Sequence, residues 1–261
     1  MKSALIMHQG SRFENEVIGP WLNSFSDLSG ILVIKPNKAR KISTLKHEYR
    51  RSGVTGLIDM AAFRIYYKLF RADEENTKID QLMSETANEF ESDLSAVPRK
   101  YVDDPNSDAA KSFLEDCEPD ATVARCKTLL GKHIFDIPTH GTFVIHPGIC
   151  PEYRNSHGCF WALAENDPEN VGYSMLRIDE GIDTGPIYSQ SGTNFDSTSD
   201  DHLYIQYKVV TDNLGEMRDT LRQIESDNAE PIDVEGRESN VWGQPKMRDY
   251  LRWKRRARGE I

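Results

Sequence analysis

The first half of the chain alternates short apolar runs with segments whose apolar residues recur at helical spacing. Apolar runs at residues 3–8 and 30–34 flank an amphipathic stretch at 14–25, and strand, helix and strand with short joints predict a parallel βαβ unit. The alternation continues with strands at 101–102, 121–126 and 141–145, helices at 39–70 and 108–117, and a short helix or turn at 128–135. We therefore expect a doubly wound, mostly parallel α/β domain, with the strand that enters His146 near the middle of its sheet.

Other segments have weaker patterns. Residues 73–98 are rich in Glu, Asp, Asn and Ser, which predicts a mobile loop or a weak helix near the site. Residues 202–224 carry one continuous helical stripe, and the chain is then extended and polar from Ala229 to Trp242 and basic from Lys246. We expect a catalytic α/β domain over residues 1–225 and an extended, basic C-terminal arm over 226–261.

Composition narrows the class of protein. The 261 residues are 38% hydrophobic and 28% charged, as in a soluble globular protein. The formal charge of −10 disfavours non-specific binding to nucleic acid and to anionic membranes. The four cysteines form no C-x-x-C pair, and the apolar run near the first residue is too short for a leader or a membrane span. We therefore expect a cytoplasmic protein with reduced thiols. No G-x-G-x-x-G opens the first helix, so a dinucleotide site has little support.

Two polar residues follow strands in the centre of the chain. His146 ends the run at 141–145 and is followed by a Pro-Gly turn, and Asp183 lies in an acidic, glycine-punctuated loop after a run at 173–178. Ligands of open α/β sheets bind at the carboxyl ends of strands, so an imidazole and a carboxylate on adjacent strand ends would suit acid–base chemistry. Each alone has a structural explanation, since histidines often end strands and aspartate favours turns.

The segment around these residues resembles a known family. The match is to the signature of the folate-dependent formyltransferases, which this segment resembles in three parts: HPGICPEYR, the later Trp161, and DEGIDTGPI. The lead-in PDATVARCKTLLGKHIFDIPTHGTFVIHPG is also similar to that of the family. That family includes the glycinamide ribonucleotide, methionyl-tRNA and nucleotide-sugar formyltransferases, and the resemblance is specific from about Pro119 to Gln190. It implies a Rossmann-like sheet of the formyltransferase type, 10-formyltetrahydrofolate as co-substrate, and His146 and Asp183 as catalytic residues.

One position departs from the family pattern. An Asn-x-His pair is typical of the family, and the matching residue here is Val144. Valine offers no donor to the developing oxyanion, and loss of one such donor costs about 100- to 1000-fold in rate. Asn155 and His157 are the nearest polar residues that could substitute, although Asn155 also suits a simple turn.

The resemblance also implies binding residues. Those for folate lie in the turn after the strand at 121–126 and in the loop before Asp183: Lys127, Leu129, Leu130, Asp179 and Ile182. Leu129 and Leu130 are equally compatible with ordinary core positions. Those for the acceptor follow Pro151: Arg154, Asn155 and His157. The reaction expected is formyl transfer to a primary amine of a small metabolite, such as an amino sugar nucleotide or a natural-product intermediate.

Alternatives remain open at this level. His146, Cys150, His157 and Cys159 are zinc-ligand types, but their spacing matches no common zinc motif, so no metal is expected. Basic residues between Lys35 and Arg51 suit a phosphate surface or, as we favour, a solvated helix face. The basic tail suggests tRNA, yet about 70 residues after Gln190 leave little room for the C-terminal β-barrel of the methionyl-tRNA enzymes, which favours a packed arm or a contact in a homo-oligomer. Because of Val144, a formyl hydrolase and a non-catalytic binding protein are the other functions considered.

Overall fold

The computed structural model describes residues 1–36, 38–90 and 92–261, and within these ranges all side chains except those of residues 38–45 and 47. The strands are β1 (Lys2–His8), β2 (Asp27–Ile34), β3 (Arg99–Val102), β4 (Ala121–Arg125), β5 (Gly141–His146), β6 (Arg154–Asn155), β7 (Gly172–Arg177), β8 (Ile187–Gly192) and β9 (Val241–Trp242). Within the described ranges, seven of these strands form one sheet in the order β3-β2-β1-β4-β5-β7-β8, and β6 pairs with β9. The doubly wound, mostly parallel sheet expected from the sequence is confirmed.

The helices cover both faces of this sheet. A π-helical turn (Glu14–Ile18) leads into α1 (Gly19–Asn23), followed by α2 (Lys38–Phe70), α3 (Ala72–Glu89), α4 (Asp108–Cys117), α5 (Lys132–Phe135), α6 (Gly158–Ala164), α7 (His202–Thr211), α8 (Leu214–Glu225) and α9 (Met247–Ala257). β1 shows why both faces are covered: Leu5 and Met7 enter one buried cluster, while Ala4 and Ile6 enter the other. Successive side chains of a strand point to opposite faces, so a strand apolar throughout needs helices on both sides.

The polar segment at 73–98 is mostly a regular helix. α3 spans 18 residues, and its buried positions, Glu75, Ile79, Met83 and Thr86, form a narrow stripe of which only two members are apolar. α3 packs on α7 and on the π-helical turn. Packing of one narrow stripe stabilises a helix whose composition alone resembles a loop.

The segment at 202–224 is two helices instead of one. α7 ends at Thr211, α8 begins at Leu214, and the Asn213 side chain donates to the Val209 carbonyl at 2.8 Å. The buried residues on both sides of the break continue one stripe, so periodicity did not reveal it.

Residues 226–261 return to the body of the protein. β9 pairs with β6, and α9 packs on α2 and α6. Tyr250 and Trp253 of α9 are each 2% exposed. Of the basic residues expected to cluster between Lys35 and Arg51, Lys38, Arg40 and Lys41 lie outside the described side chains. No helix in the described ranges is both long and apolar enough to cross a membrane.

The direction of β7 differs from the expected one. β5 and β7 are antiparallel, with His146 opposite Ser174 and Phe143 opposite Arg177. β7 continues for three residues past Ser174, towards the start of β5, so at about 3.4 Å per residue its end lies roughly 10 Å from the level of His146. The prediction that His146 and Asp183 occupy adjacent carboxyl strand ends is therefore wrong, and the loop after β7 must fold back if they are to meet.

Candidate active site

His146 is the last residue of β5, and its ring is held on both edges. The side chain is buried, and Nε2 lies 2.8 Å from the carbonyl oxygen of Tyr153. A carbonyl can only accept, so Nε2 carries a hydrogen and donates it. The other ring nitrogen, Nδ1, lies 3.6 Å from Oδ2 of Asp183. This distance exceeds a direct hydrogen bond, and a water or substrate group can bridge such a pair.

Asp183 reaches His146 because the loop between β7 and β8 turns back along the sheet. Its Oδ2 accepts a hydrogen bond of 2.7 Å from the backbone N–H of Asn155. The preceding carbonyl, that of Ile182, accepts from Nη1 of Arg154 at 3.3 Å. Asp183 itself has a left-handed backbone (φ 51°), a conformation that aspartate tolerates better than most residues. The segment at 154–155 therefore fixes the carboxylate.

The turn after His146 requires glycine. A Cβ on Gly148 would lie 2.6 Å from Nε2 of His146 and 2.8 Å from the Tyr153 carbonyl oxygen. A side chain there would enter the hydrogen bond that orients the imidazole. Gly148 thus permits the close approach of turn and ring.

The C-terminal arm supports the same loop through Trp242. The indole is stacked between Tyr153 (ring centroids 5.7 Å apart) and Trp161 (4.8 Å), and its Nε1 donates to the Glu152 carbonyl at 2.8 Å. The Trp242 carbonyl accepts from the side-chain amide of Asn155. Sequence reasoning did not single out Trp242; the available signal was a lone tryptophan in a polar stretch.

The residues expected to hold folate are of two kinds. Leu129 and Ile182 are 64% and 39% exposed, so both present apolar surface that a ligand can cover. Leu130 is buried in the core cluster that includes residues of β1 and β2. It therefore occupies an ordinary core position, which was the alternative considered from the sequence. The carboxylate of Asp179 accepts from the Gly181 N–H and the Thr184 hydroxyl, which shapes the loop that carries Ile182.

At the other folate segment, the backbone N–H of Lys127 donates to Nε2 of His8, the last residue of β1, at 3.0 Å. This bond ties the turn after β4 to the neighbouring strand end. The turn therefore lies at the edge of the sheet where β1, β4 and β5 end.

The polar residues expected near the acceptor are mostly engaged within the protein. The His157 ring accepts from Nε2 of Gln206 at 3.2 Å, and burial holds its pKa well below the usual value, so it is neutral. The Asn155 amide is directed to Trp242. Nε of Arg154 differs: it is buried and has no hydrogen-bond partner within the described ranges.

Val144 occupies the position two residues before His146, on the same face of β5. It packs against a small apolar cluster formed by Cys150, Leu176 and Ile187. That environment suits a hydrocarbon side chain. The departure from the family pattern is therefore accommodated by local packing.

The candidate zinc ligands do not assemble. Among the described residues, no group of three or more His, Cys, Asp or Glu side chains is arranged to hold a metal ion. Burial raises the pKa of Cys159 to about 12 and that of Cys150 well above its usual value.

A mostly parallel α/β sheet with a fixed imidazole facing a carboxylate is suited to group transfer with acid–base assistance. A model of the formyl transferase family matches residues 59–213, more than half of the chain. The chain belongs to the formyl transferase family. The resemblance inferred from the sequence is thereby confirmed.

Curated relatives match over part of their length. The methionyl-tRNA formyltransferase of Dehalococcoides mccartyi (strain CBDB1) is 37% identical over 82 residues, 31% of this chain and 26% of that protein. The methionyl-tRNA formyltransferase of Sorangium cellulosum (strain So ce56) is 29% identical over 140 residues, 53% of this chain and 44% of that protein. The matched segments thus span less than half of each relative.

Solved structures are similar over nearly the whole chain. A sugar N-formyltransferase from Shewanella sp FDAARGOS_354 has a TM-score of 0.54 at 15% identity, covering 97% of this chain and 88% of its own. A phosphoribosylglycinamide formyltransferase from Anaplasma phagocytophilum has a TM-score of 0.53 at 13% identity, covering 94% and 98%. At these identities the similarity is one of fold.

Proposed function

We propose that the protein is an N-formyltransferase that moves the formyl group of 10-formyltetrahydrofolate to a primary amine of a small metabolite. The observation that carries this proposal is the Nδ1 edge of His146, which faces the Asp183 carboxylate at 3.6 Å while Nε2 is anchored on a backbone carbonyl. Family membership supports the reaction class. An amino sugar nucleotide or a natural-product intermediate is the acceptor class proposed.

The two residues have different roles in the proposed reaction. The amine nitrogen attacks the formyl carbon, the bond to the folate nitrogen breaks, the amine loses a proton and the folate nitrogen gains one. Asp183 accepts the amine proton, directly or through a water, and passes it on by the same route to the departing folate nitrogen. His146, protonated on Nδ1, donates to the oxyanion of the tetrahedral intermediate, while its Nε2–H continues to donate to the Tyr153 carbonyl.

Arg154 is our candidate for the donor that Val144 lacks. Its guanidinium lies beside the loop that carries Asp183, and its Nε is a buried donor without a partner in the described ranges. An unpaired buried donor is costly, so such a group is suited to pairing with a ligand. We expect Arg154→Lys, which keeps the charge but loses Nε, to lower kcat by about tenfold or more.

Folate binding is assigned to two segments near His146. The turn after β4 supplies Lys127 and the exposed Leu129, and the loop before Asp183 supplies Asp179 and the exposed Ile182. Exposed apolar side chains are suited to covering the faces of a pteridine ring.

A small acceptor is favoured over tRNA because part of the basic tail is used internally. The Lys254 ammonium is buried against the Asp201 carboxylate at 3.1 Å, and the Arg256 guanidinium donates to backbone carbonyls of α6. These cations are not available to phosphates. Methionyl-tRNA is included in the assay as the competing acceptor, because the curated relatives carry that name.

The assay measures release of tetrahydrofolate from 10-formyltetrahydrofolate with and without amines. Amine-dependent release supports transfer, amine-independent release supports a hydrolase, and the absence of both release and folate binding supports a non-catalytic protein. If methionyl-tRNA is formylated in preference to small amines, the acceptor is a tRNA and the proposed small-metabolite class is wrong.

The catalytic pair is tested with a matched surface pair. His146→Ala and Asp183→Asn should each lower kcat by at least about 100-fold while the protein stays folded. His140 lies 3.9 Å from Asp227 in a pair whose aspartate is exposed, so His140→Ala and Asp227→Asn should leave kcat unchanged. Near-wild-type kcat in either site variant would contradict the mechanism.

A further inference from the structure

A cavity lies between α2, β9 and the start of α9. Its volume is about 310 Å³, and Trp161 and Trp242 form one wall. Neither His146 nor Asp183 lines it. The volume is at the lower end of the range for small-molecule sites.

The cavity is basic in a chain whose formal charge is −10. Four cationic side chains and two carboxylates line it: Arg51, Lys246, Arg248, Arg252, Glu48 and Asp249. Both carboxylates are buried and engaged: Oε1 of Glu48 accepts from the Gln244 N–H at 3.2 Å, and Asp249 is paired with Arg252. The cations therefore exceed the carboxylates by two.

The cationic side chains of the cavity differ in whether they are already bonded within the protein. Nη2 of Arg51 donates to the Val241 carbonyl at 2.7 Å, and Arg248 is paired with Asp59 at 3.0 Å. The Lys246 carbonyl accepts from the Tyr250 N–H, but its ammonium has neither a hydrogen bond nor an ion pair in the part of the chain that the structure describes. An ammonium group in this setting is free to bind an anion.

Gly243 lets the backbone approach the cationic wall. A Cβ at this position would lie 2.3 Å from Nη1 of Arg51 and 2.8 Å from Oε1 of Glu48. Glycine allows the chain after β9 to pass against the guanidinium without displacing it.

We propose that this cavity is a second binding site that takes a small phosphorylated metabolite. Its phosphate binds Lys246, Arg252 and Arg51, and its organic part lies against the indole edges that Trp161 and Trp242 present to the cavity. Arginine and lysine are the usual partners of phosphate, and the indole suits a planar or apolar group. This site is distinct from the proposed formyl-transfer site and does not depend on that function.

Calorimetric titration of the full chain with inorganic phosphate, uridine 5′-monophosphate and uridine tests the proposal. Phosphate and the monophosphate should bind, more weakly as salt rises, and uridine should not. Lys246→Gln and Arg252→Gln should each weaken binding by about tenfold or more, the loss expected for one charge-assisted hydrogen bond. Lys100→Gln removes one exposed charge on β3 and should bind as the wild type does.

Three results would overturn the proposal. They are failure of phosphate and monophosphate to bind, uridine binding as tightly as its monophosphate, and equal weakening by Lys100→Gln. Asp183→Asn separates the two sites, because it should leave binding unchanged. If it weakens binding while Lys246→Gln does not, the ligand occupies the proposed formyl-transfer site and the second site is excluded. Thermal unfolding of each variant confirms that it is folded.

Discussion

Trp242 offers a direct test of whether the C-terminal arm positions the candidate site. The indole supports the segment that carries the Tyr153 carbonyl, which orients His146, and the Asn155 N–H, which binds Asp183. We expect Trp242→Ala to lower kcat by about 100-fold, because a displacement of 1 Å in such a support can cost that much. KM for the amine should change far less.

The magnitudes follow from the contacts. Trp242→Phe keeps a ring between Tyr153 and Trp161 but loses the bond from Nε1 to the Glu152 carbonyl, about 1 kcal/mol of stability. Trp242→Ala also loses two ring stacks and their buried area, about 3 kcal/mol for this half-buried side chain. The phenylalanine variant should therefore retain most of kcat, and the alanine variant should not.

Trp253→Phe is the matched control. Its indole Nε1 donates to the Ser197 hydroxyl at 2.7 Å, so the change removes a comparable hydrogen bond from the arm without touching the segment at 152–155. Steady-state kinetics and urea unfolding are measured on all three variants. The reasoning is refuted if Trp242→Ala is destabilised but keeps its kcat, or if Trp253→Phe loses kcat to the same extent.

Two further changes test the site and the core. Gly148→Ala places a Cβ 2.6 Å from Nε2 of His146, so kcat should fall by at least about tenfold. The control is Gly215→Ala, whose Cβ meets no atom within 4 Å and which should leave kcat intact. Equal effects of the two changes on kcat would contradict this prediction. Burial raises the pKa of Glu75 to about 8 from an unfolded value of about 4.5, so the folded state binds more protons between these values and stability falls as pH rises through that window. Glu75→Gln keeps an acceptor for the Tyr204 N–H, and in urea unfolding it should be more stable than the wild type at pH 8 by up to a few kcal/mol. The difference in stability should vanish near pH 4.5. A gain in stability that does not change with pH would contradict this prediction.

The strands of the first half were predictable because each is a buried apolar run bounded by turn residues. The start of α4 was equally clear: Ser107 caps it by accepting from the Ala110 N–H, as the sequence predicts. α3 was harder because two of its four buried positions are polar, so its stripe is nearly invisible in the composition. Tertiary packing, which a single sequence does not show, decides such a helix.

The site was predicted less completely than the sheet. His146 and Asp183 do lie near each other, but the reason given for it was wrong, since β7 is antiparallel and a returning loop brings the aspartate back. The direction of a strand is a property of the whole sheet and leaves little trace in its own residues. Trp242 was missed for a related reason: its partners lie about 80 to 90 residues earlier in the chain.

The contacts that hold the site also set the order in which it can assemble during synthesis. Asp183 is bonded to a segment 28 residues earlier, and Trp242 is bonded to residues 87 and 90 positions before it. Contacts that close long loops form late, because the entropy of closure must be overcome first. A nascent chain can therefore pair all seven strands of the main sheet, the last of which ends at Gly192, while β9 is still inside the ribosome. The last strand of the main sheet thus ends 50 residues before Trp242, the residue that completes the support of the site.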